Sequence, residues 1–322
     1  MTTLRLGTRG SQLALWQARA VAGLMAQRGG IPCEIVVIRT SGDQLADRPL
    51  SEAGGKRLFV KEIEDALLLG TVDLAVHSSK DLPAELPEGL DIGAVLPRED
   101  PADVLVQRGV GPRDFQVLTE QLGAARVGTG SVRRIAQLRR VLPQAPFLPI
   151  RGNIDSRLRK LDRGDYDVIV LAAAGMRRLE VADRISATIP AEICVPAPGQ
   201  GIIAIEIRTD DERVRAAVAS IDDPDASVAL SAERALVVAL GGGCQMPIGA
   251  LCRLGADRML DLMAVVASVD GARVVRHRER GRPDAAAELG HKVAARLLSE
   301  GAAAILADAR PDGVGIADPQ GP

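Results

Sequence analysis

Twice in this chain a short apolar strand runs into a glycine-threonine turn, a serine and an arginine at the start of a helix. The first joint is GTRGS at residues 7–11, between a strand over Leu4–Thr8 and a helix with Leu13, Trp16, Ala20 and Leu24 at three-to-four spacing. The second is GTGSVRR at 128–134, between a strand over 126–129 and a helix reaching Arg140. A strand that feeds a capped helix through a glycine turn is an α/β unit. The free N–H groups and dipole of the helix start, with Arg9 and Ser11 in one joint and Thr129, Ser131, Arg133 and Arg134 in the other, make each an anion site. Two such joints predict two similar α/β lobes around one cleft. Motifs this short also recur by chance, so the repeat needs support from the rest of the chain.

That support starts at residues 71–83, TVDLAVHSSKDLP, where a buried strand, Leu74 to Val76, ends in His77, Ser78, Ser79, Lys80 and Asp81 before Leu82-Pro83 turns the chain away. Ligands of open α/β sheets bind outside the carboxyl ends of strands, which places Asp81 where chemistry sits. A plain strand exit with a turn-forming aspartate uses the same residues.

Strands are predicted over 34–40, 91–96, 104–106, 147–150 and 168–172. Residues 41–57 have no period and hold three glycines, a proline and many charges, as a loop covering a cleft does; Lys56 and Arg57 lie on it. The chain begins again near residues 98–101. Arg151-Gly152, Arg157, Arg159, Lys160, Arg177 and Arg178 follow successive strand ends and predict a positive wall on the second lobe, although scattered charges on solvated faces give the same count. Residues 195–201 form a rigid linker, and 202–207 read as an alternating strand returning to the first lobe. After Asp222-Asp223-Pro224 come a helix over 227–240, strands over 248–254, 260–269 and 273–278, and a helix over 284–299. The expected division is 1–100 plus 200–221, 101–199, and 222–322.

Composition excludes several classes. The 322 residues are 47% hydrophobic with a net charge of −2, which argues against a nucleic-acid binder. MTTLRLGTRG is polar, so neither a secretory signal nor a membrane span is expected, and the setting is cytoplasmic. His77, His277 and His291 are far apart and no C-x-x-C occurs, so no metal is assigned. Of 40 basic residues only Lys56, Lys61, Lys80, Lys160 and Lys292 are lysine. Genome base composition explains most such skews, yet arginine is also the side chain suited to bidentate carboxylate binding. Cys244, after three glycines, has a thiol open on both sides, as a covalent role requires, whereas Cys33, Cys194 and Cys252 read as small apolar residues.

The chain resembles the hydroxymethylbilane synthase (porphobilinogen deaminase) family along nearly its whole length. The resemblance rests on eight motifs in family order: TRGSQLALWQA (8–18), GGKRLFVKE (54–62), AVHSSKDLP (75–83), REDPADV (98–104), GTGSVRR (128–134), RGNIDSRLRKLD (151–162), PAPGQG (196–201) and GGGCQMPIG (241–249). It implies two lobes like those of periplasmic binding proteins and a small C-terminal α+β domain with a three-stranded antiparallel sheet. It implies a monomer that polymerises four porphobilinogen molecules on one covalent dipyrromethane per chain and releases the linear tetrapyrrole with water. It places the thioether on Cys244 and the main catalytic group on Asp81. Lys80, Asp81, Thr129, Ser131, Arg133, Arg134, Arg151 and Gly152 fall on its cofactor-binding positions. Arg9, Ser11, Phe59, Arg151, Arg157, Arg178 and Gln200 fall on its substrate-binding positions, and Lys56 and Arg57 on its lid. Two departures stand out: the loop reads GGKR where the family commonly has GGKG, and Gly241 replaces a frequent acidic residue.

Two other classes compete. A solute-binding protein for a small carboxylate also has two lobes over an anion cleft, but the signal peptide and the purpose of a Gly-Gly-Gly-Cys loop are missing. A regulator's effector domain would bring a DNA-binding helix pair, and none is apparent.

Overall fold

In the computed structural model the described residues are 3–40, 60–243 and 246–309. Phe59, the loop with Lys56 and Arg57, and Cys244 itself lie outside them.

The first sheet holds β1 (Leu4–Thr8), β2 (Cys33–Val37), β3 (Leu74–Ser78), β4 (Leu90–Val95) and, from far along the chain, β10 (Ile203–Arg208), in the order β2-β1-β3-β10-β4. β1 is parallel to β2 and β3, and β10 is antiparallel to both neighbours. The second sheet holds β5 (Asp103–Gln107), β6 (Val127–Gly128), β7 (Phe147–Leu148), β8 (Val168–Ala172) and β9 (Ala187–Thr188), in the order β7-β6-β8-β5-β9, with the same pattern of directions. The two topologies are identical, with β5 standing where β10 stands in the first.

One clamp is repeated as well. In the first lobe the Arg5 guanidinium donates to Asp73 Oδ1 and to Gly70 O, both at 2.8 Å. In the second, Arg126 donates to Asp167 Oδ1 and to Gly164 O at the same distances.

Helices α1 (Gln12–Gly29), α2 (Lys61–Leu68), α3 (Phe115–Leu122), α4 (Val132–Leu138), α5 (Ile154–Asp162), α6 (Ala173–Arg178) and α7 (Glu212–Ala219) flank these sheets. In the first core Val21 and Met25 of α1 meet Leu6, Leu74, Ile205 and Val218, all fully buried. Burial of each such side chain contributes about 1.5–3 kcal/mol. Residues 202–207 were expected to alternate between a buried and a solvated face. Instead Ile203 to Ile207 are buried throughout, because β10 is an inner strand and Glu206 faces His77 at 3.0 Å inside the protein. The predicted strands over 34–40, 126–129 and 147–150 are shorter than their apolar runs suggest.

The third sheet is an antiparallel meander of β11 (Ile248–Leu254), β12 (Leu260–Ala267) and β13 (Val274–Gly281). One face is covered by α8 (Pro224–Ala239) and α9 (Ala286–Leu297), and α10 (Ala303–Asp308) closes that core. The other face packs on Ala136 of α4 and Val195 through Leu251, Val265 and Ala267.

Two crossing segments join the lobes and lie side by side: Glu99 N–H donates to Gly201 O at 3.1 Å. Gly201 has φ +90°, and a Cβ there would run into the Glu99 carbonyl oxygen, so only glycine fits the crossing. Glu233 of α8, fully buried, ties the third unit to this point, accepting from Arg98 Nη1 and from the N–H groups of Gly199 and Cys252, each at 2.6 Å.

Candidate active site

The two joints form as read. Ser11 caps α1, its Oγ accepting from Ala14 N–H at 3.2 Å, and Ser131 caps α4, accepting from Arg134 N–H at 3.4 Å. Thr129 Oγ1 accepts from Ser131 N–H at 3.2 Å. Each capping hydroxyl still has its proton to donate, as an anion at a helix start requires. At the end of β3, residues Ser79–Asp81 form a 3-10 turn with Asp81 exposed and Lys80 half-buried.

Arg133 and Arg134 do not make an open wall. Both turn onto Asp103, the first residue of β5, which is fully buried. Arg133 Nη1 reaches Asp103 Oδ2 and Arg134 Nη2 reaches Oδ1, both at 2.7 Å, while Gln200 Nε2 donates to Oδ1 at 2.9 Å. Burial alone would raise the Asp103 pKa, but the two guanidinium groups hold it far below the usual carboxylate range. Gln200 is engaged on both sides: Nε2 also donates to Pro101 O at 2.6 Å, and Oε1 accepts from Lys80 Nζ at 3.4 Å. Burial lowers Lys80 to about 8, Arg134 adding to the effect and Asp81 opposing it.

The remaining arginines differ in kind. Arg133, which has a carboxylate partner, is shifted upward despite its burial. Arg151, Arg157 and Arg178 are shifted downward by burial, the last two to about 10. Arg157 Nε donates to Gly152 O at 2.8 Å, and Asp81 partly offsets its shift, so the Asp81 charge reaches across the cleft to α5. Gly152 has φ +101°, which sets the turn. Arg178 donates to Gly201 O at 2.6 Å and sits over the Trp16 ring, 5.8 Å from its centroid, joining α6 to α1. Arg9 is half-buried beside Ser11. Arg159 and Arg163 form exposed ion pairs with Asp155 and Asp165, as charges on a solvated face do.

A cavity lies where the three units meet. Ser79 and Lys80 line it from the first lobe, Ser131 and Arg133 from the second, Pro198 from the linker, and Arg234, Gly243 and Met246 from the third. Residues on both sides of 244–245 therefore border the space that the cationic groups share. An ammonium, hydroxyl groups and a buried Ser79 Oγ without a partner among the described residues suit a ligand bearing carboxylates, as a dipyrromethane does. None of the described cysteines lines this cavity, although Cys194 Sγ donates to Asp103 Oδ2 and accepts from Arg133 Nη1, both at 3.4 Å; burial pushes Cys194 and Cys252 up to about 12 and also raises half-buried Cys33, which disfavours the thiolate in each. Among the described residues no helix is long and apolar enough to cross a membrane.

Sequence reasoning missed Asp103, which sits inside the quoted REDPADV motif but reads as a linker residue. A carboxylate at the first position of an apolar strand was the available signal.

The family described as porphobilinogen deaminase, dipyromethane cofactor binding domain, matches residues 4–216, and porphobilinogen deaminase, C-terminal domain, matches residues 228–299. The chain is 49% identical over 305 residues to the porphobilinogen deaminase of Syntrophobacter fumaroxidans, covering 94% of this chain and 96% of that one. It is 46% identical over 306 residues to that of Geobacter metallireducens, covering 95% and 94%. Among solved structures it is similar to the periplasmic VFT2 domain of Bordetella pertussis BvgS, with a TM-score of 0.41 and 17% identity over 68% of this chain and 86% of that one.

Proposed function

The chain belongs to the porphobilinogen deaminase family, and on that premise we propose that it deaminates porphobilinogen and joins four units head to tail on a covalent dipyrromethane, releasing hydroxymethylbilane by hydrolysis. It is a transferase of tetrapyrrole biosynthesis. When bound, the dipyrromethane supplies the free pyrrole α-carbon on which the product is built.

Cys244 holds that group through a thioether. The observation that carries this reading is the cavity: Gly243 and Met246 border the same space as Lys80, Ser131 and Arg133. Lys80 and Ser131 donate to its carboxylates. Arg133 and Arg134 share the single Asp103 charge, so Arg133 adds directional N–H groups and the cluster keeps one net positive charge, while Arg134, Thr129, Arg151 and Gly152 shape the rim. Asp81, exposed on the turn next to Lys80, stabilises the positive charge that develops on a pyrrole nitrogen when ammonia leaves, and assists proton transfer. Arg151, Arg157 and Arg178 receive the acetate and propionate of the incoming units, because a buried guanidinium shifted downward is relieved when a carboxylate arrives. Arg9 and Ser11 serve the same groups from the first lobe. Gln200 orients Lys80, and Phe59, Lys56 and Arg57 act from the covering loop. The three units correspond to 1–100 plus 200–221, 101–199 and 222–322, and the enzyme works as a cytoplasmic monomer.

An intact-mass spectrum tests the reading. The purified chain should carry an adduct of two pyrrole units that maps to Cys244, and Cys244→Ser should be folded, unmodified and inactive. An active variant, or an adduct on another cysteine, overturns it.

A further inference from the structure

We propose that Ser79 is an additional binding residue of the primer site, its hydroxyl donating to a carboxylate oxygen of the dipyrromethane beside the Lys80 ammonium. This rests on the reading of the cavity given above. The backbone of Ser79 is already committed: its N–H donates to Ile202 O at 3.0 Å and its carbonyl accepts from Leu82 N–H at 3.2 Å. The residue is only 4% exposed, and its Oγ is buried without a hydrogen-bond partner among the described residues. Folded proteins seldom leave a desolvated hydroxyl unmatched, because the water it gave up is not replaced.

Other buried polar atoms do not present the same case. His77 and Glu206 face each other at 3.0 Å in the interior of the first sheet. Ser79 instead belongs to the lining of the cavity together with Lys80, Ser131 and Arg133, whose side chains carry donors, so the complement of that lining is an anionic oxygen. The facing linker packs on it without a side chain: Gly199 has φ +72°, and a Cβ there would lie 2.5 Å from Ser79 Oγ.

The test compares wild-type, Ser79→Ala and Lys80→Met chains, each made without a porphobilinogen supply and then loaded with added porphobilinogen. Two quantities are read, melting temperature before and after loading, and the porphobilinogen concentration that gives half-maximal adduct by intact mass. Unloaded Ser79→Ala should melt no lower than wild type, since it removes an unmatched polar atom. The rise on loading should shrink, and the half-loading concentration should increase by about tenfold, as expected for a lost hydrogen bond to a charged group. If Ser79→Ala loads like wild type, or if unloaded and loaded forms lose the same amount of stability, the hydroxyl serves only the chain or a solvent molecule and the proposal falls. If Lys80→Met also loads normally, the cavity is not the primer site and the wider reading falls with it.

Discussion

Burial, with Arg134 and Arg133 beside it, brings Lys80 down to about 8, so on the proposed reading primer acquisition should be sensitive to pH. The ammonium is present below that value and lost above it, so donation to carboxylates fails as pH rises through about 8. The rate at which the unloaded chain acquires its adduct should be flat near neutrality and decline above pH 8; Lys80→Arg, which stays charged, should abolish the decline. Asp81→Asn keeps shape and removes charge, so single-turnover ammonia release by the loaded variant should fall by about 10²- to 10⁴-fold with a much smaller change in KM. Near-normal release would return Asp81 to the role of a turn residue. Arg157→Leu should weaken substrate binding by roughly ten- to a hundredfold, whereas Arg159→Leu, on an exposed ion pair, should be nearly silent; equal KM values would dissolve the distinction drawn from their surroundings. Lys80, Asp81, Ser131 and Arg133 could be singled out in the sequence because each follows a strand in a recognisable run. Asp103 could not, since only folding brings it to Arg133 and Arg134.

Among the elements, the strand-to-helix joints and the C-terminal meander could be read from periodicity and capping residues, but the interior position of β10 could not. Glu206 made that strand look half-solvated, and its partner His77 lies on β3, outside any local window. The carboxylates at strand starts carry unequal weight. Asp103→Asn would strand two buried guanidinium groups and should destabilise the protein by about 3–5 kcal/mol, whereas Asp167→Asn at the exposed clamp should barely move a urea midpoint. Gly201→Ala combines a positive φ with a collision at the crossing and should cost about 1–3 kcal/mol or more; an unchanged midpoint would mean the two segments separate readily.

At the scale of the molecule, the repeated joint correctly indicated two lobes, and a return of the chain to the first sheet was expected from the linker. The entry of β5 into the second lobe was expected from the restart of the chain near 98–101; what the linear order did not show is that it takes the place there that β10 takes in the first sheet. The late return of β10 has a consequence during synthesis. The second sheet is complete once residue 188 has emerged, since β5 to β9 are contiguous. In the first, β4 meets β3 only through β10, so its last places stay open until residue 208 is made, a delay on the order of ten seconds at ordinary elongation rates. The ribosome thus delivers the beginning of the protein first and allows it to finish second, exposing an unfilled groove of main-chain donors and acceptors on β3 that a chaperone or a neighbouring nascent chain can occupy in the meantime.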